Sequence, residues 1–264
     1  MNTMSQLDPI VNGASLYING LIISNNGTTP HTKLDIAAGQ ARDSNNLVDM
    51  ILGDYLNEGT GTANAATTLN FSVKGANGID VGTIAATTWY YIFIIADSSN
   101  KNATATIASL SATAPTLPFG YDSIRCIGSV KTDGSAFLLK FYETNNNSTN
   151  RFFEWDAPIA VTVTDSGTSA TYSAMDFSTG VPVSNYGKVT VYYIWDPNAA
   201  GDILDFTPAG ATGDYLVNTA ITTAIQDGTF SIKPLTVSSV PKVSYKISAG
   251  TLTGVKVMGY DMNL

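Results

Sequence analysis

Few residues in this chain can do acid–base, nucleophilic or metal chemistry. There is one histidine, His31, and one cysteine, Cys126. An imidazole titrates near neutrality and serves as a general base when a nucleophile stands beside it. His31 instead follows Pro30 in a run of turn residues with no serine or cysteine nucleophile motif, and no Gly-x-Ser-x-Gly elbow occurs, so it reads as a surface-turn histidine. Cys126 lies within Ile124-Arg125-Cys126-Ile127, a strand-like setting in which a thiol packs as a small apolar group. One cysteine closes no intrachain disulfide, and one histidine with one cysteine makes no zinc set. The residues therefore imply no catalytic group, no cofactor and no metal.

The carboxylates point the same way. Of 21 acidic residues only Glu58, Glu143 and Glu154 are glutamates. Asp97, Asp122, Asp133, Asp165 and Asp227 each precede Ser or Gly, where a short carboxylate caps local backbone N–H groups. A carboxylate pair for glycoside hydrolysis would need a defined separation across a cleft, and turn positions argue against it. Asp196 to Asp202 has oxygen ligands and a glycine, but not the twelve-residue calcium pattern with its terminal glutamate, so it reads as an Asp-Pro turn. Residues 57–66, dominated by Gly, Thr, Ala and Asn, lack the lysine of a phosphate loop and read as an exposed loop. Trp89, Tyr90, Tyr91, Tyr192, Tyr193 and Trp195 could stack sugars, fill a core or meet a neighbouring subunit. Core packing takes the larger share. Tyr17, Tyr90, Tyr192 and Tyr260 are the candidate interface aromatics, because a tyrosine offers an apolar ring with a polar tip.

What must position these residues is a chain of 264, 44% hydrophobic and only 13% charged. That charge content is about half of the ~25% usual in soluble domains. Its net charge of −8 gives no electrostatic support to a phosphate-binding groove, so nucleic acid is not an expected partner. No apolar run approaches the ~18 residues of a spanning helix, and no basic, apolar and cleavage pattern opens the chain. Neither a membrane span nor conventional export is expected.

Strand grammar dominates. Ala14 to Ser24 reads as a strand kinked at Gly20, and Lys33 to Leu52 as two strands about a turn. Thr68 to Lys74 follows, then Thr87 to Ala96, apolar enough to be a central strand covered on both faces. Ser123 to Lys131 and Ser135 to Glu143 flank Asp133-Gly134, the favoured pair for a two-residue type I′ hairpin. Further strands are expected at Ile159 to Thr164, Lys188 to Trp195, Thr229 to Lys233, Lys242 to Ile247 and Val255 to Tyr260. Alternation turns Val189, Val191, Tyr193 and Trp195 inward. Asp214 to Gln226 is compatible with one short helix or a strand. The fold class is thus all-β, two β-sandwich-like domains with at most one short helix. Residues 1–25 would be an attachment segment and first strand, 26–143 a β domain, 144–151 an Asn/Thr-rich linker and 152–264 a second sandwich.

Three stretches carry a family likeness: Thr32 to Asn46, Gly78 to Tyr90 and Pro118 to Arg125. With them the region of about residues 15 to 145 resembles virion structural proteins of tailed bacteriophages, of the tail-fibre, tail-appendage or head-fibre kind. The closing Val255-Lys-Val-Met-Gly-Tyr-Asp-Met262 is similar to their last strand. The resemblance implies a non-enzymatic building block located in the virion, made in the host cytoplasm, with copies of itself and other virion proteins as partners. A trimer is the expected state of a fibre. Capsid decoration and a host-glycan-binding adhesin, meeting a host-surface receptor, are the alternatives. The chain lacks a repetitive shaft, in which it departs from complete fibres.

Overall fold

The computed structural model describes residues 17–53, 67–147, 150–211 and 213–264. Nearly all of their regular structure is strand. In chain order these are β1 (Ile18–Gly20), β2 (Ile23–Asn25), β3 (Lys33–Ile36), β4 (Gly39–Arg42), β5 (Asp49–Leu52), β6 (Thr67–Asn70), β7 (Gly78–Ile79), β8 (Trp89–Asp97), β9 (Asn100–Ser109) and β10 (Ser123–Lys131). Then come β11 (Phe141–Asn147), β12 (Asn150–Val161), β13 (Ser173–Asp176), β14 (Tyr186–Asp196), β15 (Ile203–Pro208), β16 (Leu216–Thr219), β17 (Gln226–Ile232), β18 (Leu235–Val237), β19 (Val240–Ile247) and β20 (Thr251–Asn263). A single 3-10 turn, Asp165–Gly167, is the only helical element among the described residues. The all-β class read from the sequence is the class of the structure.

Two small antiparallel sheets, β1-β4-β5 and β2-β3-β6, come from the first strands. Positive φ at Gly20 and Leu21 breaks the expected first strand in two, as the glycine foretells. A four-stranded sheet follows in the order β10-β8-β9-β7, with β8 central and Tyr90 to Ala96 buried on both of its faces. The last two sheets, β11-β12-β20-β14-β17 and β13-β19-β15-β16, face each other as a sandwich, with β18 also pairing β19. Their inner faces meet where the rings of Tyr193, Phe206 and Phe230 touch, Phe206 and Phe230 at 4.5 Å between centroids. Val189, Val191, Tyr193 and Trp195 all point inward, following the period of two.

Several expectations are corrected. The 144–151 stretch is no linker: Thr144 pairs with Phe152 and Asn147 with Asn150, so it belongs to the β11–β12 pairing. Asn and Thr bond well enough across strands to serve as ladder residues. Side chains from the two expected domains also share one core. Trp89 on β8 lies 5.8 Å from Trp155 and 5.7 Å from Tyr260, ring to ring, and Tyr260 stacks on Phe153 at 5.5 Å. Residues 17–25 hold the expected first strand, as β1 and β2, with Ile18, Leu21 and Ile23 buried in the core; residues 1–16, the rest of the expected attachment segment, lie outside the described part, as does the whole Gly/Thr-rich stretch at 57–66.

The Asp133-Gly134 hairpin is also different. β10 pairs with β8 and β11 with β12, leaving one bridge, Thr132 to Leu138, around the turn. The Asp133 carboxylate accepts the N–H groups of Ser135 and Phe137 at 2.8 and 2.9 Å, and the positive φ falls on Ala136. A wider, side-chain-capped turn thereby replaces the two-residue one. Lys33 to Leu52 holds three strands, not two, while Asp214 to Gln226 takes the strand of its two alternatives, as β16 and a turn.

Candidate assembly interface

The four candidate tyrosines part company in the structure. Tyr90 and Tyr260 are 1% and 0% exposed, which removes them as docking residues. Tyr260 Oη donates to the Ser129 carbonyl at 2.8 Å, so the hydroxyl is satisfied inside the core. Tyr17 is half-buried and donates to Asp49 Oδ1 at 2.9 Å, within a pair that Arg42 Nη1 completes at 2.8 Å. Tyr192 is half-buried on the outward face of β14, where burial and then Asp227 hold its hydroxyl proton on more tightly than usual. Of the four, Tyr17 and Tyr192 keep surface to offer.

The isolated reactive groups are occupied by the fold. His31 is exposed with its ring 4.8 Å from that of Phe137, and no nucleophile is among its described contacts. Burial pushes the Cys126 thiol up to about 11, far from a thiolate at neutral pH. Asp202 Oδ2 accepts the N–H groups of Asn198 and Ala199, both at 2.8 Å, which makes Asp196 to Asp202 a self-capped turn. No group of three or more His, Cys, Asp or Glu side chains is placed to hold a metal among the described residues.

One ionic cluster was not legible in the sequence. On the outward side of the β15–β19 pair, Tyr172 Oη lies within hydrogen-bond reach of Asp205 Oδ2 and 2.6 Å from Asp214 Oδ1, which also accepts from Lys246 Nζ at 2.6 Å. The Lys246 ammonium stands 4.6 Å over the Tyr172 ring. A hydroxyl has one proton, so it cannot donate fully to both carboxylates. Burial raises the pKa of Asp205, while the bond from Lys246, chiefly, lowers that of Asp214. Of the two carboxylates, Asp205 therefore takes up a proton more readily than Asp214, whose charge the adjacent ammonium favours. With the Asp205 side chain wholly out of solvent, the cluster ties the chain before β16 to the sheet and presents no open carboxylate pair.

A more unusual feature is the edge that β16 and β17 form. Each is the last strand of its sheet, and they follow one another in the chain, so one whole side of the sandwich is open. At the far edge of the β17 sheet, β11 is covered: Ile23 N–H donates to Glu143 Oε2 at 2.7 Å, and Asn25 bonds both the Leu139 carbonyl and the Phe141 N–H. Monomeric proteins protect open edges with lysine, proline or bulges. Residues 215–232 contain no lysine, no proline and one charge, Asp227. Among them Ile221 is 83% exposed, Ile225 67%, Tyr215 57% and Val217 49%.

No protein-family model matches the chain. No curated protein matches it either. Among solved structures, a carbohydrate-binding module from Cellvibrio mixtus lichenase 5A, in complex with cellotriose, is similar at 13% identity over 48% of this chain and 86% of that one, with a TM-score of 0.19. Similarity of that degree establishes neither a common fold nor a common ligand.

The strand character of the open edge was present in the sequence in the Thr and Val content of Asp214 to Gln226. It was masked because Leu216, Ala220, Ile221 and Ala224 also satisfy a helical spacing.

Proposed function

We propose that this chain is a non-enzymatic structural subunit of a tailed-phage particle, assembling with copies of itself as a tail fibre or appendage through the β16–β17 edge. The observation that carries the reading is that edge: unguarded, almost uncharged, and flanked by exposed isoleucines. Copies that each carry a net charge of −8 repel one another over most approaches. At residues 215–232 they can meet with only Asp227 to accommodate. Strand addition there supplies partners for the outward N–H and C=O groups of both strands and covers Ile221 and Ile225. Pairing β16 of one copy with β17 of the next is a head-to-tail contact, which closes when the rotation per subunit divides a full turn; a trimer is the ring expected of a fibre.

The resemblance of the first half to phage virion proteins supports a particle context. The test is imaging of particles assembled with a labelled copy of this protein. Density at the tail, in a few to a few dozen copies, is the expected result. Hundreds of copies over the head would move the protein to capsid decoration, and absence from the particle would refute the virion reading.

A further inference from the structure

Of the two strands that form the open edge, β16 is the more weakly held. β17 is paired along its whole length, Gln226 to Ile232, against Val189 to Trp195 of β14. β16 has four residues, laddered to Ile203 to Phe206 of β15. Only every second couple of opposed residues in an antiparallel pair exchanges hydrogen bonds, so the ladder supplies roughly four bonds at most. An outermost strand with so few bonds opens at small free-energy cost. A joining strand finds its N–H and C=O partners only while β16 is closed, so its apparent affinity falls with the closed fraction.

Groups outside the ladder tie both ends of the strand. After it, Ala220 N–H donates to the Asp202 carbonyl at 2.8 Å and Gly201 N–H to the Ala220 carbonyl at 2.9 Å. From the facing sheet, Tyr193 Oη donates to Asn218 Oδ1 at 3.0 Å. Before the strand, Thr207 Oγ1 donates to the Gly213 carbonyl at 2.9 Å, and Asp214 accepts from Lys246 Nζ at 2.6 Å with Tyr172 Oη at the same distance. Lys246 lies opposite Asp205 in the β15–β19 register, and Asp205 lies opposite Val217 of β16. Ammonium, inner carboxylate and exposed valine thus form one row across three strands, and Asp214 is drawn onto it from the start of β16. The Asp214 side chain is 54% exposed and that of Lys246 32%. A pair so exposed adds little to the stability of a whole fold. The element it restrains here is only four residues long.

We propose that the contacts of Asp214 with Lys246 and Tyr172 are a clamp on the assembly edge, keeping β16 closed and thereby setting how tightly the next copy adds. The inference rests on the assembly reading and gives that contact a control point behind the strand. The test is hydrogen exchange, read below the concentration at which copies join, together with sedimentation velocity above it, both on the full chain. Asp214→Ala is expected to speed exchange over residues 215–220 and to weaken association about fivefold, with unchanged circular dichroism. Thr207→Val, which removes the Gly213 tether by different chemistry, is expected to act in the same direction and serves should Asp214→Ala not fold. Asp156→Ala removes the same single charge, and so the same share of the repulsion between copies, by breaking the 3.2 Å pair with Lys140. It is expected to change neither measurement. Association as tight as the parent's in both tether variants, or weakened as much by Asp156→Ala, would overturn the clamp and leave the edge contact standing. A parent that stays monomeric would overturn the edge contact, and the clamp with it.

Discussion

The Glu143 carboxylate lies 2.9 Å from the Arg151 guanidinium with both side chains out of water. Arg151 Nη1 directs its hydrogens at the carbonyls of Leu21 and Ile127, and Nη2 bonds that of Gly20, so the contact with Glu143 is one of charge more than of a shared hydrogen. Glu143 meanwhile accepts from Ile23 N–H. The pair thus fastens the kinked β1–β2 segment to the large sheet. Removing one partner of such a pair strands the other charge. Arg151→Met is expected to cost about 3–5 kcal/mol, read as a fall in the urea midpoint.

Burial, offset in part by Arg151 and the Ile23 N–H, raises Glu143 from 4.5 to about 7. A carboxyl whose folded pKa lies above its unfolded one binds more protons in the folded state between those values. Its contribution to stability is therefore highest below the unfolded value and falls as pH rises from 4.5 to about 7. Glu143→Gln is expected to flatten that part of the pH–stability curve relative to the parent. Parallel curves for the two proteins would contradict the assignment.

The two halves are fastened at Trp89: its Nε1 donates to the Ser178 carbonyl at 2.9 Å and its ring lies 5.8 Å from that of Trp155, while Lys131 Nζ bonds the neighbouring Thr179 carbonyl. Within the second half, Trp155 Nε1 donates to the Gly180 carbonyl at 3.1 Å. Trp155→Phe leaves a buried carbonyl without its donor and is expected to cost about 1–3 kcal/mol. A single cooperative thermal transition, moved down as one, is the expected record. Separation into two transitions would mean that the halves fold independently.

A methyl group at position 259 would sit 2.5 Å from the Phe153 carbonyl oxygen and 3.0 Å from the Glu154 Cα. Backbone cannot retreat as a side-chain tip can. Gly259→Ala is expected to cost about 1–3 kcal/mol by overpacking the β12–β20 pair, measured by chemical denaturation, with no change in oligomeric state.

What the sequence disclosed was set by local pattern, and what it hid was set by distance. The apolar run of β8 and the alternation along β14 were legible because burial on two faces or one leaves a period that residues display in order. The β18–β19 hairpin was not: Ser238 and Ser239 both take positive φ there, a conformation usually advertised by Asn-Gly, so the turn carried no sequence signal. Asp133-Gly134 failed in reverse, its carboxylate building a wider turn than the pair predicts. Tyr90 and Tyr260 were misread as surface residues because partners such as Ser129, 131 positions away from Tyr260, cannot be paired by eye. The cluster of Tyr172, Asp205, Asp214 and Lys246 was hidden for the same reason.

The central claim is that copies of this chain join through the β16–β17 edge, and sedimentation velocity over a range of concentrations tests it most directly. The parent protein should sediment as a stable oligomer, a trimer in the fibre reading, while Val217→Lys with Thr229→Lys, which adds the charges that guard solitary edges, should sediment as a monomer with unchanged circular dichroism. A parent that stays monomeric at the highest concentration, or a variant that assembles as well as the parent, would contradict it.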